Sequence, residues 1–356
     1  MSRRLLAALA LFLIALPVPA SAQPSSPTPN GWRAVAAAAA DGVFEVVRAD
    51  GTIWGWGDNS DGQLGADTTS SCGHPCSPVP VQADGVRDAV SVTVSGGHAL
   101  AVMTGGAVWA WGRDDHGQLG YAAADCPTRH RPCQPHPTPV PGLPKIVAVA
   151  AAETSSFALA ADGSVWAWGD NSRGQLGLGG AADVPSPRQV PGVADAVALA
   201  VGRDLALVVL ANGSIVAWGG GDLGHATPTS MRVPLEIAAA ATSGSAVIAL
   251  SRDGSVWNWL TAGGAAPAAV PGIDRAKAVA IGSDLEAAVT ADGAVWAWSP
   301  GQPQNAAPVG GLPPVVNAAV VAASGPNLAI GRDGSVWTWS AHASPEAVPP
   351  PGASSP

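Results

Sequence analysis

Residues 162–177 read D-G-S-V-W-A-W-G-D-N-S-R-G-Q-L-G, and close copies stand at 50–65 (D-G-T-I-W-G-W-G-D-N-S-D-G-Q-L-G) and 105–120 (G-G-A-V-W-A-W-G-R-D-D-H-G-Q-L-G). Asp-Gly or Asn-Gly between two alternating apolar runs is the strongest local hairpin signal, because both central positions favour positive φ and the turn matches strand twist. Four more turns, opening at Asn212, Asp253, Asp292 and Asp333, lead into S-I-V-A-W, S-V-W-N-W, A-V-W-A-W and S-V-W-T-W. Seven hairpins are therefore expected. Of the 14 tryptophans only Trp32 lies outside these strands. A period of two puts both indoles of W-x-W on one face, as in Trp166 and Trp168, where they form a layer against a neighbouring sheet. Such indoles are core and not platforms for stacking a ligand; Trp218, with Val216 in its partner's place, fits that reading.

Upstream of each turn lies a second pattern of two short apolar runs around a Gly/Ser-rich break, as in D-A-V-A-L-A-V-G-R-D-L-A-L-V-V from Asp195. Val140-Pro141-Gly142, Val190-Pro191-Gly192 and Val270-Pro271-Gly272 stand before these runs as Pro-bearing entries to a unit. Three or four strands per unit is the content of one propeller blade. The expectation is an all-β, seven-bladed β-propeller over residues 31–350. The chain opens with G-W-R-A-V-A from Gly31 and ends on S-P-E-A-V-P-P from Ser344. Joined in a circle these make one unit, so the N- and C-terminal strands are expected to complete one blade and remove the exposed edges.

Composition agrees. The 356 residues are 47% hydrophobic and 12% charged, with 44 Gly and 33 Pro. That is not a disordered acidic tail, and Pro and Gly cut every long period that a helical bundle would need. No phosphate-binding loop, zincin or nucleophile-elbow motif is present. Residues 1–22 read as a cleavable export signal, with Arg3 and Arg4, an apolar run from Leu5 to Leu16, and Ala20-Ser21-Ala22. The run is too short to span a bilayer. Residues 23–30 and 351–356 are Pro/Ser-rich and polar, a lead-in and a flexible tail. The formal net charge of −9 and the lack of a basic run argue against nucleic acid as a partner. The protein is expected to be secreted or periplasmic, monomeric and without a membrane span.

W-G-W-G-D-N-S-D-G-Q-L-G from Trp54, W-A-W-G-R-D-D-H-G-Q-L-G from Trp109 and W-A-W-G-D-N-S-R-G-Q-L-G from Trp166 resemble the regulator of chromosome condensation repeat. That resemblance implies a seven-bladed propeller. Unit four keeps only W-G-G-G-D-L-G from Trp218, and units five to seven lack G-Q-L-G. Their short blades, together with the export signal, resemble a secreted bacterial branch typified by beta-lactamase-inhibitory protein II, which binds its target enzyme with loops on one face. Nucleotide exchange on an intracellular small GTPase fits an exported, acidic chain poorly.

Cys72, Cys76, Cys126 and Cys133 fall as two pairs at the same place in the repeat, which favours local disulfides Cys72–Cys76 and Cys126–Cys133 in an exported chain. Zinc at these cysteines with His74, His130 and His136 fits the usual ligand spacings poorly. In the polar loops Asp58 and Asp170 recur in register as turn formers, whereas Asp61, Asp114, Asp115, His116, Tyr121 and Arg173 are the candidate partner-binding residues. No nucleophile, base and orienting group recur as a set, so no catalytic residue, cofactor or metal is assigned. The leading expectation is a protein-binding disc, one form of which inhibits an extracellular or periplasmic enzyme such as a beta-lactamase. A propeller-based lyase or hydrolase and a surface-structural repeat protein are the alternatives.

Overall fold

A computed structural model describes residues 31–350, apart from 69–73, 125–131, 221–223, 232, 234, 245, 262–265, 283, 320–326 and 341–342. The expected export signal, the lead-in and the tail lie outside the described residues. The remainder forms seven four-stranded antiparallel sheets. Each is a meander of consecutive strands: Ala34–Gln82 (blade 1), Ala89–Pro139 (2), Ile146–Gln189 (3), Ala196–Met231 (4), Ile237–Ala269 (5), Ala276–Pro308 (6) and Val315–Ala347 (7). The chain is the expected seven-bladed propeller.

In blade 1 the strands are β1 (Ala34–Ala40), β2 (Val43–Arg48), β3 (Ile53–Asp58) and β4 (Cys76–Gln82). The Asp50-Gly51 turn joins β2 to β3, as its sequence signal requires, and Asp50 Oδ1 accepts both the amide (3.1 Å) and the hydroxyl (2.6 Å) of Thr52. That hydroxyl in turn accepts the Trp54 indole N–H at 3.1 Å. Ser164, Ser255 and Ser335 receive Trp166, Trp257 and Trp337 in the same way. The first indole is therefore half-buried and, in these four blades, tied to its own turn, while the second indole position at Trp111, Trp168 and Trp218 is fully buried against the preceding sheet.

The core lies between blades. Seven clusters of buried apolar side chains each draw on two adjacent sheets, six between blades in sequence and the seventh between blades 7 and 1. Ala at the inward positions of the first strands lets seven sheets converge on one axis, and Trp and Leu fill the wider gaps farther out.

Ring closure differs from the sequence expectation. No sheet mixes the two chain ends: β1 pairs with β2 across the Asp41-Gly42 turn, and Ala343–Ala347 is the outer strand of blade 7. The Pro-rich segments, such as Cys133–Pro139 and Val184–Gln189, are outer strands of the blade already begun. Proline lacks the N–H an inner strand must donate, and an edge tolerates that loss. Closure is instead a side-chain latch. Trp32 is wholly buried and donates its indole N–H to the carbonyls of Val348 (3.0 Å) and Pro349 (3.2 Å), while Ala34 N bonds Gly334 O at 3.0 Å.

Candidate functional site

The turns between first and second strands and the connections from third to fourth strands emerge on the same face of the disc. In blades 1–3 those connections are long (59–75, 114–132 and 170–183); in blades 4–7 they shrink to 220–224, 261–267, 299–306 and 341–342. The opposite face carries only tight turns and blade-to-blade crossovers. The loop face is thus lopsided, with its polar relief gathered over blades 1–3.

G-Q-L-G is the device that folds each long loop. Leu64, Leu119 and Leu176 are fully buried between blades. Their amides donate to Asn59 Oδ1 (2.9 Å), Asp114 Oδ1 (2.9 Å) and Asn171 Oδ1 (3.1 Å). The carbonyls of Gln63, Gln118 and Gln175 accept the indole N–H of the next blade's Trp111 (2.9 Å), Trp168 (2.8 Å) and Trp218 (3.0 Å). The closing glycine is required by that approach: a Cβ on Gly177, at φ +71°, would stand 2.6 Å from Trp218 Nε1.

Against this frame the candidate residues separate. Asp114 is buried; besides Leu119 it accepts the Ala123 amide (3.2 Å), and burial lifts its carboxyl to about 6. Tyr121 packs into the blade 2–3 core and donates to Ala110 O at 2.9 Å, and burial raises its phenol. Both shape the loop from within. Asp115 is half-buried, which on its own would raise its carboxyl, but hydrogen bonds from Arg113 and Gln118 hold it below the ordinary value. Asp61, His116 and Arg173 occupy one position of the motif, and each reaches toward the following blade. Asp61 lies close enough to Arg113 to help hold its charge; His116 Nδ1 is 2.9 Å from Asp183 Oδ2; Arg173 Nη1 is 2.6 Å from Asp204 Oδ2. Arg173 is the most exposed of the three.

The structure adds residues that sequence reading did not select. An axial basin of about 610 Å³ opens on the loop face, lined by Asp41, Asp58, Asp61, Arg113, Glu153 and Arg203 among others. Arg203 pairs with Glu153 of the neighbouring blade at 2.8 Å. Asp41, Glu153 and Arg203 stand at the break between first and second strands, where the repeats vary, and that variation was their one signal. Beneath the rim His98 is wholly buried; burial lowers it to about 4, and its Nε2 lies 2.9 Å from Ser156 Oγ, which donates to Gln118 O. A neutral histidine in that place spaces two blades and is out of reach of a ligand.

Cys76 and Cys133 are buried first residues of outer strands, in equivalent register opposite Asp58 and Arg113. Their expected partners Cys72 and Cys126, and also His130, lie outside the described residues. His74 and His136 face carboxylates of Asp58 and Asp84, each at 3.1 Å. Among the described residues no helix is long and apolar enough to cross a membrane.

The RCC1-like domain family matches residues 15–306, most of the chain. The chain belongs to that family. Among curated relatives, human E3 ubiquitin-protein ligase HERC2 is 32% identical over 149 residues, 41% of this chain and 3% of its own. The mitochondrial RCC1 domain-containing protein RUG3 of Arabidopsis thaliana is 34% identical over 153 residues, 42% of this chain and 32% of its own. The regulator of chromosome condensation of Xenopus laevis is 32% identical over 139 residues, 39% and 31% respectively. The matched stretch thus spans about a third or less of each relative. Human WBSCR16 superposes with a TM-score of 0.69 at 20% identity, covering 80% of this chain and 84% of its own. Yeast RCC1 (Prp20), in a structure with Kap60 bound, gives 0.67 at 20% identity, covering 80% and 77%. These likenesses carry the fold. An RCC1-like propeller supports a protein-binding role.

Proposed function

We propose that this RCC1-like propeller is an exported, monomeric disc that binds a protein on its loop face, over blades 1–3, and does not bind nucleic acid. The observation that carries the reading is the lopsided face: the G-Q-L-G frame sets varied polar and charged side chains, from buried Asp61 through half-buried His116 to exposed Arg173, beside an axial basin, while the opposite face carries only tight turns and crossovers. Rigid loops lose little entropy on binding, so a few of them suffice for affinity. The export signal read in residues 1–22 puts the partner outside the cytoplasm. Inhibition of an extracellular or periplasmic enzyme, with a beta-lactamase first, is the form we propose.

The test is inhibition of a panel of beta-lactamases and penicillin-binding enzymes by the chain from residue 23 onward, with Arg173→Glu alongside. Inhibition by the native disc that weakens at least tenfold in the variant supports the reading; no inhibition and no complex across the panel removes the inhibitor form. The 32% identity to regulator of chromosome condensation over 139 residues favours one second reading, promotion of nucleotide release from a small GTPase. Nucleotide release in the same preparation would replace the first reading. We also propose the disulfides Cys72–Cys76 and Cys126–Cys133. The native protein should show no free thiol, and two thiols per missing bridge would count against them.

A further inference from the structure

We propose that the junction of blades 2 and 3 is a divalent-metal site, built by His116, Asp170 and Asp183 and suited to zinc. The ligand atoms of these three side chains lie within 4.8 Å of one another. His116 comes from the loop of blade 2; Asp170 and Asp183 open and close the loop of blade 3, so the site bridges two sheets that the core already fixes.

Comparison with the neighbouring junctions singles it out. The motif position held by Asp61, His116 and Arg173 meets the next blade each time. At the first, Asp61 faces Arg113; at the third, Arg173 faces Asp204. At both an arginine supplies the cation, at the first shared between Asp61 and Asp115. At the second, one imidazole faces two carboxylates, so even a protonated ring leaves a surplus negative charge, and a neutral ring leaves two. Asp183 also departs from its counterparts. In blades 1 and 2 the amide that opens the loop, at Asn59 or Asp114, donates to a proline carbonyl, Pro75 O or Pro132 O. In blade 3 the corresponding amide of Asn171 donates to Asp183 Oδ1 (3.2 Å), which turns Oδ2 toward His116.

The outer partners suit ligation. Asp170 accepts Thr154 Oγ1 (3.0 Å) on one oxygen and Ser172 N (2.8 Å) on the other, each of which keeps a lone pair. Ligands about 2.0–2.2 Å from zinc stand roughly 3.4 Å apart around a tetrahedron. Binding therefore needs His116 and Asp183 to part by a few tenths of an ångström and Asp170 to close on them. One imidazole and two carboxylates neutralise a divalent ion. The nitrogen donor favours zinc over calcium or magnesium. With His116 and Asp183 at 35% and 42% side-chain exposure, the fourth position opens to water or to a partner's side chain.

Titration of metal-stripped full-length protein with zinc alone, followed calorimetrically, tests the site. The expected result is one equivalent bound, weakened about tenfold or more by His116→Ala and by Asp183→Asn, and unchanged by His74→Ala, which removes a different His–Asp pair. Cobalt bound to the native chain should show the visible absorption of a tetrahedral ion, lost in Asp183→Asn, a readout independent of any effect of His116→Ala on folding. No stoichiometric zinc, or zinc that survives both substitutions, overturns the proposal and leaves a hydrogen-bonded His–Asp pair.

Discussion

Blades 1–3 and blades 5–7 place the same W-x-W strand in the same sheet, yet they hold the second indole differently. The long loops of blades 1–3 each anchor the indole N–H of the blade that follows: Trp111, Trp168 and Trp218 all bond a G-Q-L-G carbonyl across the junction. In the short-loop half Trp298 turns to Glu286 of its own blade, and Trp339 Nε1 is buried with no acceptor among the described residues. Apolar packing with a few other bonds, such as Asn258 Nδ2 to Glu286 Oε2 (3.0 Å) and Ala276 N to Gly254 O (2.9 Å), thus suffices to hold the short-loop junctions. The loop motif adds an indole bond at the first three junctions.

The largest break in that comparison should come from removing the indoles. Trp168→Ala is expected to cost about 3–5 kcal/mol from the cavity it leaves, and Trp32→Ala a similar amount, because it also undoes the indole latch between the ends of the chain. Trp168→Phe against Trp339→Phe isolates the bond: about 1 kcal/mol should separate the two in denaturant melts, with Trp168 the costlier. Equal costs would mean that the G-Q-L-G carbonyl contributes no more than packing does.

A smaller effect lies within blade 1. Glu45 occupies the second-strand position where the other blades carry Leu100, Phe157, Leu207, Ile248, Ala287 and Leu328, and it is completely buried. The adjacent Trp111 directs its N–H to Gln63 O (2.9 Å) and leaves the carboxyl only a weak interaction, so burial wins and pushes the carboxyl well above the ordinary glutamate value. A group raised in the folded state contributes stability at low pH that is lost as pH climbs from the ordinary glutamate value through the raised one. Glu45→Leu should therefore stabilise the ring by about 1–3 kcal/mol near neutrality and flatten its rise toward acid. A variant less stable than the native chain at pH 8 would show that Glu45 has a function worth its cost.

Blade number, hairpins and the burial of the second indoles were legible because each rests on a local signal: D-G turns set the register, and period two sets the face. Blade phase was not legible. A hairpin signal says that consecutive strands pair, but nothing local distinguishes an outer strand from the start of the next sheet, and the prolines of Cys133–Pro139 read equally well as an entry or an edge. The loop face was half legible. His116 and Arg173 were visible as variable residues in a fixed frame, but Asp183 and Asp204, which they meet, lie one blade away, and only the closed ring brings them together. Tyr121 and Asp114 shared the variable stretch yet point inward, a direction that sequence spacing does not encode.

Asp114 provides the finest test, since it stands where blades 1 and 3 use Asn59 and Asn171. All three accept the leucine amide, but an asparagine also donates, Asn59 to Ala66 O (2.9 Å) and Asn171 to Gly180 O (3.3 Å), whereas Asp114 accepts Ala123 N instead. The blade 2 loop is therefore wired with one hydrogen bond reversed. Burial raises Asp114 to about 6 from an ordinary 3.8, so its ionisation should withdraw stability as pH rises between those values. Asp114→Asn should erase that step while sacrificing the Ala123 bond, a net change within about 1 kcal/mol at pH 7. Melting temperature against pH decides it: if the step between pH 4 and 6 persists in Asp114→Asn, another buried acid, with Glu45 first in line, is responsible.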